Sequence, residues 1–228
     1  MTQQQWLESL LSQGFHRMGQ IEIRRAPDDS DSFWLCHEDD REILSGQAPP
    51  PEHFLVTENP YDARDISTYS AEQEYRFTKG QTNLRGGWLM KVKGTVQLLA
   101  ALDAFYPACF GLWVAQKRGT LEVQTLRDKL NRQTGMYRFA RSISDEGAQA
   151  LVQQVCGPAH QCAKKILWKI DENTPLDDSE ASRFNGISSG LSEPQAIPLL
   201  CREACNHFVA ECRKASKREF EAKAAASS

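Results

Sequence analysis

Cysteine is the residue type in this sequence whose spacing points most directly to chemistry. The chain has seven cysteines, and five of them lie between positions 156 and 212. They form two close pairs, Cys156-Gly-Pro-Ala-His-Gln-Cys162 and Cys201-Arg-Glu-Ala-Cys205, with Cys212 following alone. An odd number of thiols fits complete disulfide pairing poorly, and clustering in a cytosolic chain favours metal binding. The pattern therefore predicts a thiolate-ligated metal centre in the C-terminal third.

Each pair can present two thiolates to one centre. The first pair flanks a five-residue loop in which the Gly-Pro dipeptide can make a tight turn. Pro198 suits the first turn of a helix, where its missing N–H does no harm, so we expect the last helix to begin there. On such a helix Cys201 and Cys205 lie on one face, roughly 6 Å apart along the axis. This separation suits two adjacent iron corners of a cubane.

Four cysteines are the usual complement of a 4Fe–4S cluster, so we predict that Cys156, Cys162, Cys201 and Cys205 are its ligands. A tetrahedral zinc ion also accepts four thiolates, but its ligand pairs are usually separated by two to four residues. The five-residue gap in the first pair favours the larger cluster. A zinc-stabilised interaction module stays open as an alternative.

Other side chains near the pairs have weaker assignments. Cys212 lies roughly 10 Å along a continuous helix from Cys205, which disfavours it as a ligand. His160, inside the first loop, could replace a thiolate, although a role beside the cluster or on the surface is favoured. Cys36 and Cys109 fit small buried hydrophobes. Three cations could surround an anionic cluster, and each could equally be a solvated surface charge: Lys164, Lys165 and Arg202.

Composition and charge exclude several classes of function. The chain has 228 residues, 40% hydrophobic and 25% charged, with a net charge of −3. These values are typical of a soluble protein and give no global attraction to nucleic acid or to an anionic membrane. The N-terminus lacks the basic start and apolar core of a signal peptide, which predicts a cytoplasmic protein. We find no phosphate-binding glycine loop, nucleotide fingerprint or Ser-His-Asp arrangement.

The elements that must position the cysteines follow from periodicity. A short amphipathic helix is expected over 4–11, and alternating strands over 20–25 and 33–37. Helices are expected over 92–105 and 120–132, and a third over 145–155, with Ser144 as its N-cap, delivers Cys156. The sequence thus predicts an α+β fold: a mixed stabilising domain over residues 1–90 and a mainly helical cluster domain over residues 91–228.

The cysteine order resembles that of sirohaem-dependent sulfite and nitrite reductases, with the third cysteine 39 positions after the second. In those enzymes the last cysteine bridges cluster and sirohaem. This likeness covers the cysteine spacing, in a chain much shorter than those reductases.

A second resemblance covers most of the chain. The run Asn-Leu-Arg-Gly-Gly-Trp at 83–88, the run Ala-Leu-Asp-Ala-Phe-Tyr-Pro-Ala at 101–108 and the cysteine pairs are similar to the accessory region of CbiX-type sirohydrochlorin cobaltochelatases. That region consists of a stabilising domain followed by a 4Fe–4S-binding domain. The resemblance implies an α+β part packed on a helical cluster domain, with the four paired cysteines as ligands.

The resemblance also implies a role beside tetrapyrrole metabolism. The chelatase module of that family is an α/β unit with metal-handling histidines, whereas the five histidines of this chain are scattered. We therefore expect an iron–sulfur accessory protein that transfers electrons, senses redox state or stabilises a chelatase or redox partner, with a tetrapyrrole as a further candidate ligand. The alternative is an enzyme related to sirohydrochlorin cobaltochelatase that uses the cluster directly.

Overall fold

The computed structural model describes residues 1–46, 49–68, 84–156, 162, 164–174 and 195–226. The chain divides into two compact units. Unit 1 comprises residues 1–78, 83–121 and 187–199, and unit 2 comprises residues 79–82, 122–186 and 200–228. The division thus falls after residue 121, about 30 residues beyond the expected one at 90, because two helices that follow residue 93 pack within unit 1.

Unit 1 is built on a mixed six-stranded sheet with strand order β4-β5-β3-β2-β1-β7. The strands are β1 (Arg17–Met18), β2 (Ile21–Arg25), β3 (Ser32–His37), β4 (Leu55–Thr57), β5 (Trp88–Lys93) and β7 (Ala196–Ile197). The pairs β1–β2, β2–β3 and β3–β5 are antiparallel, and β4–β5 and β1–β7 are parallel. The two strands predicted from alternation are β2 and β3, and they pair in register from Ile21 opposite His37 to Arg25 opposite Phe33.

Four helices accompany this sheet: α1 (Gln3–Ser12), α2 (Ala63–Thr68), α3 (Gly94–Phe105) and α4 (Cys109–Lys117). Apolar side chains of α1, α3 and α4 are buried together with those of the sheet, and Trp88 lies 4.8 Å from Phe105 between ring centroids. A 3-10 helix, Glu38–Ser45, covers a smaller apolar cluster that contains Cys36. Residues 88–93 form a strand rather than the start of the helix expected from 92, because they pair with β3 and β4.

Unit 2 is mainly helical, with α5 (Leu126–Asn131), a 3-10 helix (Gly135–Ser142), α6 (Asp145–Cys156) and α7 (Asn206–Ala226). A two-stranded sheet pairs β6 (Lys164–Ile166) with β8 (Leu199–Cys201). The apolar core of the unit includes Leu130, Leu151, Trp168 and Phe208. Mixed sheet and helices together confirm the α+β class.

The start of α6 is fixed by the predicted cap. The Ser144 hydroxyl accepts the Gly147 N–H at 3.0 Å, which satisfies one of the donors that a helix leaves free at its first turn. Glu219 on α7 accepts both the Ser144 N–H at 3.0 Å and the Ser144 hydroxyl at 2.9 Å. The cap therefore also ties α6, which carries Cys156, to α7.

No single helix among the described residues is long and apolar enough to cross a membrane. The helices α3 and α4 pass that test only as a pair, and the pair is bent by 105° at its break.

The turn between β1 and β2 generates a stability prediction. Gly19 has φ +56°, and a Cβ there would lie 2.9 Å from Leu199 Cδ1 and 3.0 Å from Tyr106 Cε2. Gly119 has a similar φ of +67° but no atom within 4 Å of the same position. Gly119→Ala therefore carries only the backbone strain of about 1–2 kcal/mol, whereas Gly19→Ala adds an overpacking cost of about 1–3 kcal/mol.

We expect urea unfolding of unit 1 to show a clearly larger loss of stability for Gly19→Ala than for Gly119→Ala. Equal losses in the two variants would contradict the close packing of this turn.

Candidate metal centre

The paired cysteines are carried by four different pieces of unit 2. Cys156 is the last residue of α6, and Cys201 is the last residue of β8. Cys205 directly precedes α7, whose first turn includes the hydrogen bond from the Val209 N–H to the Cys205 carbonyl at 3.0 Å. Cys162 lies two residues before β6. A helix end, a strand end and two short connections thus supply the candidate ligands.

The second pair does not lie on a helix, contrary to the expectation from Pro198. The residues that follow Pro198 form β8, which pairs with β6, and α7 begins only at Asn206. Both Leu199 and Leu200 are buried, where strand pairing can supply the hydrogen-bond partners that water does not. A short irregular segment, not helical rise, therefore sets the spacing between Cys201 and Cys205.

The four thiols and Cys212 are close enough to act on one another electrostatically. Burial raises the pKa of the Cys156 thiol, and the charges of Cys162, Cys201, Cys205 and Cys212 raise it further. Burial likewise raises the pKa of Cys162, and a smaller effect of Cys205 acts in the same direction. The structure therefore brings the four predicted ligands, from three separated stretches of sequence, into one neighbourhood.

These five cysteines differ in how far they are buried. Cys156 is 8% exposed and Cys212 is fully buried, both within the apolar core of unit 2. Cys201 and Cys205 are half-buried and pack against that core, and Cys162 is also half-buried. The group lies between the core and the surface. None of the seven cysteines forms a disulfide.

A 4Fe–4S cluster and a single zinc ion differ in how far apart they hold their thiolate ligands. Four sulfurs on one zinc ion, each at 2.3 Å, would lie about 3.8 Å apart. Among the described residues no three His, Cys, Asp or Glu side chains are close enough to hold one metal ion. A 4Fe–4S cluster gives each thiolate its own iron, so its ligands stand further apart. Four neighbouring thiols are the donor set that a 4Fe–4S cluster takes.

Cys212 belongs to the core of unit 2. Burial raises its pKa to about 12, and it lies on α7 seven residues after Cys205. Its charge nonetheless acts on Cys156, so it is a neighbour of the site. His160 lies outside the described residues.

Of the three predicted cations, Lys164 is the one whose charge lowers the pKa of cysteines in the site. Its backbone N–H donates to Cys162, and both this bond and its charge lower the pKa of Cys162 against the effect of burial. Its charge also lowers the pKa of Cys201. The charges of Lys165 and Arg202 are not among the causes of any shifted cysteine pKa in the described part of the chain.

Trp168 is a neighbour of the site that the sequence analysis missed. Its indole Nε1–H donates to Cys201 Sγ at 3.4 Å, and the Cys201 thiol in turn donates to the Glu203 carbonyl at 3.1 Å. In the sequence Trp168 closes the apolar run Ile-Leu-Trp, a pattern typical of an ordinary core residue. Nothing in that pattern could have assigned it to the site.

A basic and apolar surface lies elsewhere in unit 2. A groove of about 770 Å³ runs between α7 and the 3-10 helix Gly135–Ser142, and Phe139 and Phe220, both more than half exposed, line it. Its charged lining consists of four cations and one acid: Arg213, Lys214, Lys217, Lys223 and Glu219. In a chain of net charge −3 this is a local concentration of positive charge beside exposed rings, a combination typical of interaction surfaces.

Comparison with known proteins agrees with the two units. A sequence model described as a DR2241 stabilising domain matches residues 3–117, and one described as a 4Fe–4S iron-sulfur cluster binding domain matches residues 118–214. The latter range contains all five C-terminal cysteines. No curated protein matches the sequence significantly.

A solved structure has a similar fold. It is DR2241 from Deinococcus radiodurans, described as a multi-domain protein with structural similarity to chelatases and two additional novel domains. The TM-score is 0.69 at 21% identity, over 95% of this chain and 41% of that one. This chain therefore spans less than half the length of DR2241. By its N-terminal match it belongs to the DR2241 stabilising-domain family, and its remainder is a 4Fe–4S cluster-binding domain.

Proposed function

We propose that this protein holds one 4Fe–4S cluster through Cys156, Cys162, Cys201 and Cys205 and serves as a redox or stabilising accessory to a chelatase of tetrapyrrole metabolism. The observation that carries the ligand assignment is the mutual electrostatic effect of these four thiols within unit 2. They all lie inside the range matched by the cluster-binding domain.

The thiols themselves determine how the cluster is held. Burial and mutual repulsion favour the protonated form of Cys156 in the absence of a compensating charge. The four thiols would lose their protons on binding iron, whose positive charge would offset that cost. Lys164 adds positive charge on the side of Cys162 and Cys201. When bound, the cluster supplies one-electron chemistry.

Both accessory roles have a physical basis in unit 2. Three of the thiols are half-buried, which supports a cluster near enough to the surface to exchange electrons with a partner. Cys156, Cys201 and Cys205 are part of the apolar core or pack against it, which supports a cluster that also closes that core. A cluster so placed would bind the ends of α6 and β8 and the start of α7 together.

The link to chelatases comes from the comparisons. DR2241 is described as similar to chelatases, and this chain corresponds to 41% of it. The proposal therefore places metal insertion outside these 228 residues, in a CbiX-type sirohydrochlorin cobaltochelatase or a related enzyme of cobalamin or sirohaem formation. The basic groove beside α7 supports the presence of a partner, because its cations suit an acidic surface or a polycarboxylate tetrapyrrole.

The ligand set is tested by removing one thiol at a time. Protein purified without oxygen should be brown, absorb broadly near 400 nm and contain about four irons per chain. We expect Cys156→Ala, Cys162→Ala, Cys201→Ala and Cys205→Ala each to lose most of the iron and acid-labile sulfide, because each removes one of four ligands. Cys212→Ala and Cys109→Ala are the matched controls and should retain both.

A colourless protein with one zinc ion would contradict the proposal and favour a zinc-stabilised module. Loss of iron in Cys212→Ala with retention in one of the four would reassign the ligands.

Removal of the cluster should destabilise unit 2 selectively. Because the ligands join three elements of its core, loss of a tightly bound group removes a few kcal/mol from its free energy of unfolding. We expect its melting temperature to fall by about 10 °C or more, at about 4–8 °C per kcal/mol in a domain of this size. Differential scanning calorimetry before and after treatment with an iron chelator measures this change, with the unit 1 transition as the internal control. An unchanged unit 2 transition would argue against the stabilising role.

The accessory role is tested with a chelatase that lacks these two domains. The protein alone, with sirohydrochlorin and Co²⁺, should give no metal insertion above the uncatalysed rate. Added to a CbiX-type cobaltochelatase, the cluster-containing protein should raise either the insertion rate or the thermal stability of that enzyme, whereas the Cys201→Ala protein should not. Insertion by the protein alone would support the enzyme alternative, and no effect on the chelatase would contradict the accessory role.

A further inference from the structure

Trp168 is held rigidly beside Cys201 by backbone hydrogen bonds on both sides. The N–H of Leu167 donates to the Cys201 carbonyl at 2.9 Å. On the other side, the carbonyls of Lys169 and Ile170 accept N–H groups from the start of α5 at 2.8 and 3.0 Å. The segment that carries the indole is therefore fixed between β8 and α5.

The side chain of Trp168 is as constrained as its backbone. It is 2% exposed, and its ring meets that of Phe208 edge to face at 5.3 Å between centroids. Its Nε1–H reaches Cys201 Sγ at 3.4 Å. A buried indole N–H normally finds a partner, and this one has a sulfur rather than an oxygen.

The choice of acceptor points to a thiolate. A neutral thiol is a weak acceptor, so a buried N–H directed at one gains little for its desolvation. A metal-bound thiolate carries negative charge and accepts a stronger, charge-assisted hydrogen bond.

We propose that Trp168 raises the reduction potential of the 4Fe–4S cluster by donating its indole N–H to Cys201 Sγ. This inference depends on the proposed ligand set. Uptake of one electron adds one negative charge that is shared with the ligand sulfurs, so the donor stabilises the reduced state more than the oxidised state. The low dielectric around a buried indole strengthens that difference.

The test replaces the donor and measures the potential of the cluster-containing protein. We expect Trp168→Phe to keep about four irons per chain but to lower the midpoint potential in a dithionite titration followed by electron paramagnetic resonance. A tenfold loss in the reduction equilibrium constant corresponds to about 59 mV for one electron. Trp113→Phe, which changes a buried tryptophan of unit 1, is the control and should leave the potential unchanged.

A third variant separates the effect of ring packing against Trp168 from the effect of its N–H hydrogen bond. Phe208→Leu removes the ring contact but keeps the indole N–H. We expect it to shift the potential less than Trp168→Phe. An equal or larger shift in Phe208→Leu, or no shift in a cluster-containing Trp168→Phe protein, would overturn the inference.

Phenylalanine is smaller than tryptophan and leaves a cavity at position 168, so a second experiment removes the N–H while keeping the shape of the side chain. Trp168 is the one tryptophan in the sequence range of unit 2, since the other four lie at 6, 34, 88 and 113. Biosynthetic replacement of tryptophan by benzothienylalanine puts sulfur in place of the N–H at nearly the same shape. The same fall in potential is expected, and an unchanged potential would overturn the inference. Absence of a cluster from the unsubstituted protein would instead contradict the proposed function.

Discussion

Mutual repulsion among four thiolates, one buried and three half-buried, is the constraint on which the proposed site depends. Each thiol of the group raises the cost of ionising Cys156, and burial adds to that cost. Such a group stays together only where a surrounding fold holds its members by other forces. In unit 2 those forces come from an apolar core that contacts Cys156, Cys201 and Cys205, from the β6–β8 pairing, and from the cap that ties α6 to α7.

The same constraint explains why the site couples stability with chemistry. A cluster held by these four thiols would neutralise the repulsion and join the helix and strand ends that carry them, so its binding energy would become folding energy. The surroundings of Cys201 would then influence the electronic properties of the bound cluster. Lys164 supplies a nearby positive charge and Trp168 a buried N–H, and both favour added negative charge. The proposed redox and stabilising roles would therefore both follow from one arrangement.

The two units differ in what they would contribute to the proposed accessory protein. Apolar side chains of the sheet and helices of unit 1 form a buried core, and unit 1 includes the match to a family described as a stabilising domain. The basic groove lined by exposed aromatic rings lies on unit 2, beside the helix that closes the cluster domain. The surface proposed for partner recognition and the candidate ligand Cys205 would thus be linked by α7, which begins directly after Cys205 and carries both the groove residue Phe220 and the core residue Phe208.

The sequence by itself determined the features that depend on local order. Alternation predicted β2 and β3, Ser144 predicted the start of α6, and cysteine spacing predicted a thiolate centre. Tertiary structure decided the rest. Pro198 suggested a helix through Cys201, but pairing with β6 made that segment a strand. Trp168 reads as a core residue until the contact with Cys201, 33 positions away, is known. Hydrogen bonds between segments that are distant in sequence leave no periodic pattern, because they depend on how those segments pack in three dimensions and not on neighbouring residues.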